Sequence, residues 1–71
     1  MYPILPSERK HYSMVRRLQE VRELLPVHDR KSIDAIAAYF AQHRMLPTAV
    51  HLRGKALLAA AKAVERARSA A

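Results

Sequence analysis

The sequence predicts an all-α protein: a small three-helix bundle, or a helical hairpin with a long C-terminal helix, completed by dimerisation. Three observations carry this. Apolar residues recur three and four positions apart in three separate stretches. Pro26 and Pro47 punctuate those stretches, and proline cannot continue a helix it interrupts. The second and third stretches are rich in alanine, the best helix former, and the whole chain holds a single glycine.

Met1–Pro6 is expected to be an extended arm, because Pro3 and Pro6 lack amide hydrogens and disfavour helix in the residues before them. Its Tyr2, Ile4 and Leu5 are apolar enough to pack on the body or on a second subunit. The first helix is expected over residues 7–25, with Ser7 as N-cap and Glu8 where the helix dipole favours negative charge. Met14, Leu18, Val21 and Leu25 step by four, three and four and form its seam, widened by Val15 and Leu24. Pro26 ends it.

Val27–Lys31 reads as a short polar connection, so the first two helices should be antiparallel neighbours. Asp29 or Ser32 would cap a second helix over residues 32–44. Its buried face is Ile33, Ile36, Ala37, Phe40 and Ala41, with Phe40 central to the core. Met45–Pro47 breaks the pattern. A third helix then covers residues 48–69, with Val50, Leu57, Ala61 and Val64 on its apolar side. Gly54 costs a continuous helix about 1 kcal/mol relative to alanine, a cost a close neighbour would explain. The alternative is an extended stretch to Arg53 with the helix beginning at Lys55.

Seventy-one residues make at most one domain. Such a chain buries only about 60% of the surface its unfolded form exposes. Of the 51% apolar residues, thirteen alanines bury little, and there is one Phe, three Tyr and no Trp. No cysteine offers a disulfide staple. A homodimer that lends the missing core is therefore expected.

The formal net charge is +7, and nine of the thirteen basic residues are arginine. Arginine's planar fork suits phosphate and carboxylate, which points to an anionic partner, either nucleic acid or an acidic protein surface. The plainer alternative is a charge that serves solubility. The N-terminus has no apolar region of signal-peptide length, and the longest apolar run, Ala35–Ala41, is far short of a membrane span. Cytoplasmic location is the expectation.

The third helix carries the functional expectation. At about 100° per residue, Thr48, His51, Lys55, Lys62, Arg66 and Ser69 share an arc of about 60°. Arg53 and Arg68 lie toward the apolar side. A helix, a short break and a basic helix follow the order of a helix-turn-helix, whose second helix meets base edges with its N-terminal residues. Those residues would be Thr48, His51 and Lys55, with Arg44 and Arg53 on phosphates and Lys62 and Arg66 further along. Arg16 and Arg17 form a second basic patch. The competing expectation is an adaptor or inhibitor docking on an acidic surface or groove of a transcription factor, polymerase or nuclease.

The histidines at 11, 28, 43 and 51 form no metal-ligand spacing. Glu20 and Glu23 sit among arginines and suit salt bridges better than acid–base catalysis. One glycine cannot build a phosphate-cradling loop, and so small a core leaves little room for a ligand pocket. The expectation is a non-enzymatic regulatory protein acting on transcription, with no cofactor, no metal, no small-molecule substrate and no membrane partner.

Overall fold

The computed structural model describes residues 6–70. Three helices account for most of them: α1 (Pro6–Val21), α2 (Val27–His43) and α3 (Thr48–Ala70). A short 3-10 turn, Arg22–Leu24, extends α1, and no strand occurs among the described residues. The fold is all-α. The expected arm over residues 1–5 lies outside the described residues.

α1 opens on Pro6, whose missing N–H costs nothing in a first turn. Ser7 therefore lies inside the helix, not at its cap. The first helix was expected to stay α-helical to residue 25, but it tightens to a 3-10 turn after Val21. Leu25 is held extended by the proline that follows it, and its N–H bonds back to the Arg22 carbonyl at 3.2 Å. Pro26 also starts α2, its carbonyl accepting the Arg30 N–H at 3.0 Å. The second helix thus begins at Val27, not Ser32, and the connection expected over residues 27–31 is helical. Asp29 falls in its first turn, where the dipole favours it.

The 3-10 turn is fastened to α2 by a fork of two bonds. Arg22 donates from Nε and Nη2 to the two carboxylate oxygens of Asp34, both at 2.9 Å. Arg30 Nε donates to the Leu25 carbonyl, also at 2.9 Å.

α2 stops at His43, with Arg44 in the left-handed region at φ 60° and its N–H on the Phe40 carbonyl at 2.8 Å. Met45 then points outward and Leu46 inward, 59% and 5% exposed. α3 starts at Thr48, the Pro47 carbonyl accepting the His51 N–H at 2.9 Å, and runs without interruption through Gly54.

Contacts between helices give their directions. His11 meets His51 and Met14 lies over Gly54, so α1 and α3 run the same way. Tyr12 stacks near Phe40 while Arg22 reaches Asp34, so α2 runs against α1. α1 packs on both other helices, which touch each other less. The close approach at Gly54 is evident from what a Cβ would meet there: Met14 Cε at 2.5 Å and Sδ at 2.8 Å.

The expected seam residues Met14, Leu18, Val21, Leu25, Phe40 and Leu57 are all buried, with Leu18 and Ile33 the most enclosed. Three expectations of burial fail. Ala41 is exposed, and Ala37 and Val64 are only half-buried. The pairings 11 with 51 and 14 with 54 put Val64 level with the 3-10 turn, where α1 has ended. Leu46 joins the core, although only a chain break was expected there.

Candidate nucleic-acid interface

α3 is about 34 Å long at 1.5 Å per residue, in a molecule 43 Å along its longest axis. Its buried residues are Gly54, Leu57 and Ala61. Past Glu65 every described residue of α3 is exposed, so the last turn stands clear of the body.

The acids are concentrated against α1 and α2. Glu20 pairs with Arg16 at 3.9 Å and with Arg17 at 3.4 Å. Glu23 pairs with Arg22, and Asp34 takes the Arg22 fork. The only acid of α3, Glu65, is matched by Arg17 at 3.2 Å. Among the described residues, none of α3's five cations, Arg53, Lys55, Lys62, Arg66 and Arg68, has an acidic partner. Arg53 donates instead to the Ser32 hydroxyl at 2.9 Å. These side chains are exposed, so their charge faces solvent at no cost in desolvation, open to an anion.

Arg17, Lys55 and Lys62 come together around a groove of about 480 Å³ between α1 and α3. Val21, Leu58 and Ala59 floor it, and Glu65 closes one side. The expected pair Arg16 and Arg17 shares Glu20 but is divided between grooves: Arg17 joins the α3 stripe, while Arg16 borders the α1–α2 side. There it shares a second groove with Arg44, Tyr12 and Phe40. Arg66 lies beyond the first groove, beside Lys62 and Glu65. Thr48 is exposed at the start of α3.

His51 has a different role from the other stripe residues. It is half-buried, and its Nδ1 lies 3.1 Å from Nδ1 of His11. The rings meet edge to face, 4.9 Å between centroids. One Nδ1 carries the hydrogen and the other accepts it. Burial, with His11, Lys55 and Lys10 nearby, pushes the His51 imidazole below its ordinary pKa. Lys10 and His11 therefore border the stripe, a juxtaposition that spacing within one helix does not reveal. It follows only once α1 and α3 are known to be parallel and offset by forty residues.

Among the described residues no three His, Cys, Asp or Glu side chains come together to hold a metal ion, and no helix is long and apolar enough to cross a membrane. Comparison with protein-family models, with curated proteins and with solved structures finds no match.

Proposed function

We propose that this is a small, basic, non-enzymatic regulatory protein of the cytoplasm that binds nucleic acid through α3 and acts on transcription. The observation that carries the proposal is the charge asymmetry. The acids at residues 20, 23, 34 and 65 all pair with arginines of α1, the 3-10 turn or α2, and among the described residues the five cations of α3 have no acidic partner. A polyanion that neutralises such a row gains by counterion release.

The test is fluorescence anisotropy with a labelled random duplex between about 50 and 200 mM salt, the range in which phosphate contacts lose most of their strength. With four or five phosphates engaged, log affinity should fall against log salt with a slope of about −4. Changing both Lys55 and Lys62 to Ala should make that slope shallower by about 2. An unchanged slope would remove these residues from the interface. The stoichiometry at saturation reads whether one chain or a homodimer occupies the duplex.

The apolar floor of the α1–α3 groove favours a second reading. Val21, Leu58 and Ala59 between Arg17, Lys55 and Lys62 suit an acidic amphipathic helix. The protein would then be an adaptor or inhibitor docking on a nucleic-acid-handling protein. Absence of duplex binding even at low salt would favour it.

A further inference from the structure

α3 presents three tracks to solvent. Stepping about 100° per residue, Thr48, Lys55, Lys62 and Arg66 form one flank. Arg53 lies about 160° from Lys55 on the other flank, and Arg68 lies about 60° further round, on the bearing of Leu57 and Ala61 but where the helix has cleared the body. Between the flanks lie Ala49, Leu52, Ala56, Ala60, Ala63 and Ala67. All six are exposed, and none is charged or aromatic. This face points away from Gly54, Leu57 and Ala61, which pack inward.

Resting on the nucleic-acid reading above, we propose the class of nucleic acid and the pose: α3 lies lengthwise in the major groove of B-form duplex DNA. The alanine face meets the base pairs, and the two cation flanks meet the phosphates of the two groove walls.

Charge complementarity chooses this occupant. The groove is about 12 Å wide, has anionic walls on both sides and admits a helix about 10–12 Å across. The cation row on one flank and Arg53 on the other match two walls, where a single anionic strand or patch would need one flank. A second copy of α3 on the same face would set unpaired cations against unpaired cations. A protein helix would find there only Leu52 as a large apolar anchor, whereas protein interfaces take most of their energy from large buried side chains. Single strands are held mainly by aromatic stacking, and α3 has no Phe, Tyr or Trp, its one imidazole, His51, being engaged with His11. Duplex RNA is A-form, with a major groove too narrow and deep for side chains to read.

The pose also differs from an end-on helix-turn-helix contact. Of the N-terminal side chains Thr48, His51 and Lys55, His51 is committed to His11, which leaves Thr48 and Lys55. Methyl-rich contact replaces base-edge hydrogen bonding, so sequence selectivity is low and leans toward thymine, whose C5-methyl lines the groove.

The experiment compares three labelled duplexes of one sequence and length at a single salt concentration: DNA, the same DNA with uracil in place of thymine, and RNA. DNA should bind about tenfold more tightly than RNA, and removing the thymine methyls should weaken binding about threefold. Ala60→Glu should weaken DNA binding about tenfold, against less than about threefold for Ala38→Glu, the same charge change on exposed α2. Circular dichroism verifies that both variants keep their helix. Equal affinity for DNA and RNA, or equal losses in the two variants, overturns the pose while leaving the nucleic-acid reading intact. No binding to any duplex overturns both.

Discussion

His51 and His11 share one hydrogen along a 3.1 Å contact between helices that are forty residues apart in sequence. Protonating His51 would set an imidazolium in a half-buried site beside His11, Lys55 and Lys10. The folded state therefore holds the His51 imidazole below its ordinary value, chiefly through burial. The unfolded chain takes up that proton more readily. Its contribution to stability is complete above about pH 6.5, falls as pH drops through that value, and levels off below the folded value. The melting temperature should accordingly decline between pH 7.5 and 5.5, and His51→Gln should flatten the decline. A wild-type melting temperature that stays level or rises over this interval would contradict the account. Asp34 acts in a separate window. Arg22 holds its carboxyl below the usual carboxylate range, so its contribution stays constant across that interval and is lost only in stronger acid.

At the scale of elements, the helix ends repay attention. Arg44 closes α2 at φ 60°, where glycine is the ordinary residue and a side chain with a Cβ is strained by about 1–2 kcal/mol. Arg44→Gly should stabilise the protein by about 0.5–1 kcal/mol, less than the strain because glycine loses more entropy on folding. Denaturant unfolding measures this, and a destabilised variant would mean that the Arg44 side chain holds the turn. The element scale is also where the sequence was most and least legible. The spacing of three and four at Met14, Leu18, Val21 and Leu25, and at Ile33, Ile36 and Phe40, is a direct imprint of the helical repeat, and those residues are buried. The start of α2 was missed because Asp29 and Ser32 are good caps in isolation. The actual stop-and-start is Pro26, which has no capping side chain and acts through backbone geometry alone. Leu46 was missed because a single apolar residue in a connection has no period to betray it. The burial of Gly54 against Met14 gives the reason for the one glycine, a reason that needed the second helix to be visible.

At the scale of the molecule, charge and core are separated in space. The cations of the basic stripe were legible from angular spacing on one helix, but their division between two grooves was not. Arg16 and Arg17 are adjacent in sequence, about 100° apart around α1, and share Glu20, yet they border different grooves. Core residues end at Ala61 on α3, while Arg66 and Arg68 lie beyond it. Folding and the proposed binding should therefore be separable. Truncation after Glu65 keeps its bridge to Arg17 and should change stability by less than about 1 kcal/mol. The same truncation should make the salt slope of DNA binding shallower by about 2. A collapse of stability on truncation would show that the overhanging turns support the bundle.

The connection between α1 and α2 has a consequence for how the chain tolerates change in its length. It consists of Leu25 and Pro26. Leu25 belongs to the core, and Pro26 both stops one helix and starts the next. Neither residue is spare. A deletion there takes away a core side chain or the only stop signal, and would let α1 run on into α2. The four residues Arg44–Pro47 hold just one core residue, Leu46, and the end of α3 holds none. Among the described residues, a change in chain length should therefore be tolerated best in the α2–α3 turn and the overhang, the two places that frame the basic helix.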